Sequence, residues 1–279
     1  MRDDHPIDAI RRLAPPADAD EAACGAALAA LAELLLDRAT LHVAGQPYCF
    51  TELEVYYHGF AHLDPFTHRD AMQQQLGRWY FHRAGTSYRG GTYKGLDIAF
   101  GNADAFGGIL IRGIERADGT LIDGPCLVVD HILETTEAAT IDELVRRFDL
   151  AIADQPRSPL AITLASPRQR TVYATPRIGL TFKRDNTELR RRFLARPYRF
   201  LSEPARIRKG KPHLITALHR QGRSPSDIAS LTATRSSIVD SYLSAFEAGR
   251  ARPLATFDGA LSPSELCALF GACATNDAG

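Results

Sequence analysis

The stretch FTELEVYYHGFAHLDPFTHRD, residues 50–70, gathers three histidines, several carboxylates and two adjacent tyrosines. Two chemistries use such residues. The first is metal binding: His58, His62, Asp64 and His68 have spacings a metal ion can use. His58 and His62 share a face only on a helix, however. The residues before them alternate as a strand, Gly59 weakens a helix and Asp64-Pro65 breaks one. The second is acid–base catalysis. In FTELEVYY, Leu53, Val55 and Tyr57 point one way, and Glu52, Glu54 and Tyr56 point the other. The polar turn DPFTHRD can fold His68 back over that strand. Arg112 sits among apolar strand positions, where an arginine is costly without a carboxylate; Glu54, Glu52 and Asp97 are the candidates. An acid held by an arginine stays ionised and can serve as a general base. The residues alone leave open whether this is a catalytic centre or a set of structural ion pairs.

The elements that position these residues are legible from periodicity. An acidic leader and one helix, Ala22 to Arg38, occupy residues 1–40. From Leu41 to about Leu133 the pattern is strand-like with glycine-rich turns. GLDIAFG alternates, GGILIRGIE puts Arg112 with Leu110 and Ile114, and PCLVVDHIL is a further apolar segment. TIDELVRRF opens a helix with a capping box, Thr140 and Glu143. RTVYATPRIGLTF returns to strand character. The expected class is α+β: a mainly antiparallel sheet with helices around it over residues 41–204. Beyond Pro204, HLITALHRQG, SPSDIASLT and TRSSIVDSYLSAFEAG read as two short helices, a turn at Leu231-Thr232-Ala233 and a longer third helix. That is the layout of a helix-turn-helix in a small all-α domain, residues 205–279.

Composition limits the partners. Among 279 residues, 45% are hydrophobic and 24% charged, which is ordinary for a soluble globular protein. No apolar run approaches the roughly 20 residues that span a bilayer, so no membrane partner is expected. The five cysteines form no C-x-x-C pair, which points away from disulfide frameworks and zinc knuckles and toward a reducing cytoplasm. Net charge is zero, yet Lys183 to Arg223 holds 13 Lys or Arg against 3 Asp or Glu. The usual partner of so basic a stretch is a phosphate backbone. Arg190, Arg191, Arg192, Arg208, Lys209, Lys211 and, at the start of the third helix, Arg235 are the candidate DNA contacts.

The order of motifs resembles the alkyladenine (3-methyladenine) DNA glycosylase family. Glu52-Leu53-Glu54-Val55-Tyr56 matches its E-x-E-A-Y segment, and Asp64 to His68 its D-x-x-x-H turn. LIRGIER, with Arg112, is similar to its LLRALEP strand. GPCLV (Gly124 to Val128), TPRIG (Thr175 to Gly179) and RPYRF (Arg196 to Phe200) follow in the same order. The matches cover about residues 41 to 201. The resemblance implies one curved antiparallel sheet wrapped by helices, and base flipping out of double-stranded DNA, because a stacked base cannot be reached. It implies that Glu54 activates the water attacking C1′, that Arg112 fixes that water or the carboxylate, and that Tyr56 and His68 sandwich the flipped base. It implies a monofunctional enzyme, with no Schiff-base lysine, no metal and no other cofactor, acting on DNA in the cytoplasm or nucleoid without a required protein partner.

Two departures bear on the substrate. Where the family carries an asparagine, this chain has Asp97, which accepts hydrogen bonds and does not donate them. The family's wedge hairpin is here GTSYRGGTYKG, with Tyr88, Arg89 and Tyr93 as the candidate intercalators. The expected substrate is an alkylated purine or a bulkier modified pyrimidine such as hydroxymethylated or glucosylated cytosine, the latter fitting a defence against phage DNA. Two other readings compete. One is a non-catalytic helix-turn-helix regulator on a glycosylase-like scaffold. The other is a metal hydrolase using His58, His62 and His68.

Overall fold

The computed structural model describes residues 5–148, 150–153, 158–182 and 187–276. Residues 1–4 of the expected leader and 183–186 of the basic stretch lie outside them. The chain forms two compact units, residues 1–172 with 200–202, and residues 173–199 with 203–279. The second unit therefore reaches back well before the division expected near Pro204, and the leader and first helix belong to the first unit.

In the first unit, α1 (Pro6–Leu13) and α2 (Glu21–Arg38) precede the sheet. Asp20 starts α2 by accepting from the Ala23 N–H at 2.7 Å, and the alanine- and leucine-rich run that follows is a strong helix former. Strands β1 (Ala39–Val43), β2 (Gln46–Gly59), β3 (His62–Leu63), β4 (Arg78–Phe81), β5 (Arg83–Ala84), β6 (Ser87–Tyr88), β7 (Leu96–Ala99), β8 (Phe106–Arg116) and β9 (Leu121–Asp123) come next. They are followed by α3 (Pro125–Thr135), α4 (Ile141–Val145) and β10 (Leu160–Leu164). The main strand order is β10-β1-β2-β8-β7-β4, with every registered pair antiparallel. One face is apolar: Leu53, Val55, Ile98, Ile109, Ile111, Trp79 and Phe81 are buried there. Helix α2 packs on β1 and β2, and Leu28, Leu31, Leu35 and Leu36 are buried in it.

One segment differs from its expected form. PCLVVDHIL is helix α3, not a strand. Its buried residues, Val128, Val129, His131 and Ile132, recur at helical spacing, and Pro125 sits in the first turn, where a missing N–H costs nothing. Helix α4 starts as expected: Thr140 accepts from the Glu143 N–H at 3.1 Å, while Glu143 accepts from the Ala139 N–H at 2.9 Å.

The second unit contains β11 (Tyr173–Thr175), α5 (Glu188–Leu194), the start of β12 (Arg199–Leu201), α6 (Lys211–Arg220), α7 (Pro225–Thr232), α8 (Ser236–Gly249) and α9 (Pro263–Asn276). Within RTVYATPRIGLTF only Tyr173–Thr175 is a strand. Ser224 caps α7, and Ala233 in the left-handed region ends it, so the turn falls on residues 233–235, slightly later than expected. Helix α9 was not expected. It packs closely on α8: a Cβ on Gly249 would lie 2.0 Å from the Ala268 carbonyl oxygen, and one on Gly271 1.9 Å from that of Phe246.

Candidate active site

The polar face of the first unit is set by strand register. Residues paired across antiparallel strands point to the same side. Glu54 pairs with Leu110, Leu110 with Asp97, and Asp97 with Tyr80, so Glu54, Asp97 and Tyr80 project from one face in a single row. At a strand spacing of about 4.8 Å, Glu54 and Asp97 stand roughly 10 Å apart.

Arg112, two residues along β8 from Leu110, shares this face by alternation and sits at an irregularity. The β2–β8 register slips on either side of Glu52, which leaves Thr51 of β2 and Arg112 of β8 outside the pairing. A bulge re-aims a side chain. Here Arg112 Nε meets Glu52 Oε1 at 2.6 Å, and its Nη1 lies 3.4 Å from Glu54 Oε1. Gly113 fits beside the slip because a Cβ there would lie 2.7 Å from Thr51 Oγ1. Tyr56 donates its hydroxyl to Glu54 Oε2 at 2.8 Å. Glu54, Glu52 and Arg112 are buried, and Tyr56 is half-buried. Burial pushes the Arg112 guanidinium down; Glu54, Glu52 and the hydrogen bond to Glu52 outweigh it and hold its pKa above the usual arginine value. Of the three carboxylates weighed as partners for Arg112, two are used and Asp97 is not.

Asp97 anchors a second group. It accepts from His82 Nε2 at 2.7 Å on Oδ1 and from Gln73 Nε2 at 3.2 Å on Oδ2. Gln73 and Asp97 fill the space over Gly108, where a Cβ would lie 2.5 Å from Asp97 Oδ2 and 2.6 Å from Gln73 Nε2. The turn before β4 does carry His68 back to this group. Its ring lies edge-on to His82 with centroids 4.5 Å apart, and its Nδ1 is 3.4 Å from the Tyr80 hydroxyl. His68 is an exposed residue. Even so, packing around the ring, then the neighbouring His82, push its pKa down to about 4.

The other expected residues separate by role. Asp64 is buried and accepts from the Phe66 N–H at 3.0 Å, shaping the turn. His58 Nδ1 faces the Asp64 carbonyl at 3.1 Å and His62 Nδ1 the Tyr57 carbonyl at 3.0 Å. The three histidines of the metal reading are not brought together, and no group of three or more His, Cys, Asp or Glu among the described residues is arranged to hold a metal ion. Of the wedge candidates, Tyr88 packs edge-on to Phe81 at 6.3 Å and Arg89 Nε donates to the Arg83 carbonyl at 3.0 Å. Tyr93 is 74% exposed.

In the second unit Arg208, Lys209 and Arg235 are exposed, as is Arg192; Arg190 and Arg191 are half-buried on α5. Lys211 is half-buried and engaged within the unit. Its ammonium donates to the carbonyls of Pro204 at 3.1 Å, Ala205 at 3.2 Å and Thr232, tying α6 to the end of α7. Arg199, in the same basic run, is buried and donates to Thr175 Oγ1 at 3.2 Å and the Lys209 carbonyl at 3.3 Å.

Sequence reasoning did not single out Gln73 or His82. The alternation of RWYF into His82 carries a signal, since it places His82 on the side of Tyr80. Gln73, in a short 3₁₀ turn over Ala71–Gln74, carries none.

No family model matches the chain. A curated relative does: the uncharacterized protein L759 of Acanthamoeba polyphaga mimivirus is 32% identical over 199 residues, which are 66% of this chain and 89% of the viral protein. With that identity over most of the viral protein's length, the chain belongs to the family of the mimivirus protein L759.

Proposed function

We propose that this protein is a monofunctional DNA glycosylase, which flips a modified base from duplex DNA and hydrolyses its N-glycosidic bond. The observation that carries the reading is the buried Glu54 carboxylate, set between Arg112 and the half-buried hydroxyl of Tyr56. Arg112 places its guanidinium charge 3.4 Å from Glu54 Oε1. A carboxylate so placed takes the proton of a water as its oxygen attacks C1′, and it faces the positive charge that develops on the sugar. The ordered resemblance over residues 41–201 supports the same roles. Tyr56 and His68 line the flipped base, Tyr93 is the best-exposed wedge, and Asp97 stands two strands from Glu54 in the row. The base is an alkylated purine or a bulky modified pyrimidine.

In the second unit, the α7–turn–α8 segment is our candidate for duplex docking. Arg235, Ser236 and Ser237 are exposed at the start of α8, where a recognition helix meets base edges or phosphates. The test is abasic-site formation on alkylated, deaminated, hydroxymethylated and glucosylated DNAs, with Glu54→Gln in parallel. Wild type should leave abasic sites on at least one, and the variant should lose roughly 100-fold or more of that rate while still binding duplex. Binding with no product on any substrate would favour the regulator instead.

A further inference from the structure

The His82–Asp97 pair has the geometry of a second acid–base group, two strands from Glu54 on the same face. Asp97 accepts from His82 Nε2 at 2.7 Å, and its other oxygen is taken by Gln73 Nε2. A carboxylate can only accept, so Nε2 of His82 carries a hydrogen and Nδ1 is the nitrogen that gains and loses the second proton. Among the described residues Nε2 is the only hydrogen-bonded nitrogen of that ring. Gly95 lies against the ring: a Cβ there would fall 2.5 Å from Nδ1 and 2.6 Å from Cε1, so only a glycine leaves room for His82 in this position. The side chain retains 11% exposure. Asp97 and Glu54 flank Leu110 on one face, roughly 10 Å apart by strand spacing. That separation suits a nucleoside with its C1′ at Glu54 and a base edge at His82.

We propose that His82, oriented by Asp97, is the general acid that protonates the leaving base, and that the substrate class is therefore a base that departs uncharged, not a cationic alkylpurine. This rests on the glycosylase reading. The water oxygen bonds to C1′ and its proton passes to Glu54. The C1′–N bond breaks with its electron pair on the base, and the Nδ1 proton of the His82 imidazolium goes to the base. The products are the abasic sugar, the neutral base, neutral His82 and protonated Glu54, and both groups reset through solvent. A cationic alkylpurine leaves without that proton, whereas a neutral pyrimidine does not. The groups facing His82 are Asp97 from β7, Tyr80 from β4 and His68 from the preceding turn, with the Asp70–Arg83 pair and Arg89 next along. Of these, His68 is kept neutral near pH 7 by its lowered pKa and is the poorer donor.

The experiment is single-turnover base release by full-length wild type, His82→Gln and Asp97→Asn. The substrates are duplexes bearing a neutral leaving base (uracil, hypoxanthine, hydroxymethylcytosine, glucosylated hydroxymethylcytosine) or a cationic one (3-methyladenine, 7-methylguanine). Wild type should release a neutral base with a rate that falls as pH rises and the imidazolium is lost. His82→Gln should lower that rate about 100-fold or more, flatten the alkaline limb, and lose at least about tenfold less on a cationic base. If His82→Gln does not fold by circular dichroism, Asp97→Asn should show the same selectivity in weaker form. Equal loss on both classes, an unaltered alkaline limb, or a wild type that releases only cationic bases overturns the assignment and leaves the glycosylase reading standing. A wild type that releases no base overturns both.

Discussion

Arg112 is the residue on which the candidate site turns. Its guanidinium spans Glu52 and Glu54 in a buried setting, so Arg112→Ala strands two carboxylates away from water. Removing one partner of such a group typically costs about 3–5 kcal/mol. Urea unfolding monitored by circular dichroism should show a loss of that order, and base release should disappear even at low temperature, where the variant stays folded. Arg112→Lys should recover part of the stability but less of the activity, since a point ammonium cannot serve Glu52 through Nε and Glu54 through Nη1 together. Loss of activity at unchanged stability would mean that the pair is not a structural support.

At the level of elements, glycines decide where backbones meet. In the second unit, Gly249 and Gly271 allow α8 and α9 to touch main chain to main chain. The neighbouring atoms are carbonyls, which cannot move aside as a flexible side chain would. Gly271→Ala should therefore destabilise by about 1–3 kcal/mol, as overpacking does, and thermal unfolding should read it directly. An unchanged melting temperature would show that the helices slide apart freely. In the first unit, Gly108→Ala meets the Asp97 carboxylate and the Gln73 amide, both side-chain ends. Its expected effect is small on stability and larger on base release, because it displaces Asp97 from His82.

For the whole molecule, charge and pH are the governing quantities. The second unit carries 17 Lys or Arg against 9 Asp or Glu, and the first 16 against 24. Duplex affinity should fall steeply with salt. Replacing Arg208, Lys209 or Arg235 with alanine should each reduce the salt slope by about 1 if it contacts a phosphate. Lys211→Ala should instead lower stability with little change in slope, because its ammonium is bound to carbonyls. Fluorescence anisotropy across a salt series separates the two. Acid should destabilise the fold in two stages. His62, His68, His42 and His131 are all lowered from the usual 6.5, each chiefly by burial, so the unfolded chain takes up protons that the folded chain refuses. Stability then declines as pH falls below about 6.5, and for His68 the decline continues to about 4. Burial opposes the Asp70 charge, but Arg83 and the Met72 N–H overcome it and hold that carboxyl low, which adds a further loss in the carboxylate range. Melting temperatures should be level from pH 8 to about 7 and fall from there to 4; a flat profile between 7 and 5 would contradict the buried neutral His62 and His131.

The sequence by itself determined the faces. Period-2 alternation in FTELEVYY fixes Glu54 and Tyr56 against Leu53, Val55 and Tyr57, because side chains of a strand must alternate. The cost of an unpaired buried arginine required a carboxylate for Arg112, and the capping box at Thr140 and Glu143 marked the start of α4. Only the tertiary structure decided which carboxylate Arg112 takes first, since that depends on a register slip that local pattern does not encode. It alone brought Gln73 and His82 to Asp97, through strand pairing and a turn between residues far apart in the chain. It turned PCLVVDHIL from an apolar run into a helix and added α9, because a short apolar segment fits either form until its neighbours choose. It also showed Lys211 bound to main-chain carbonyls, for a lysine shows its charge in sequence but shows what it binds only once the chain has folded around it.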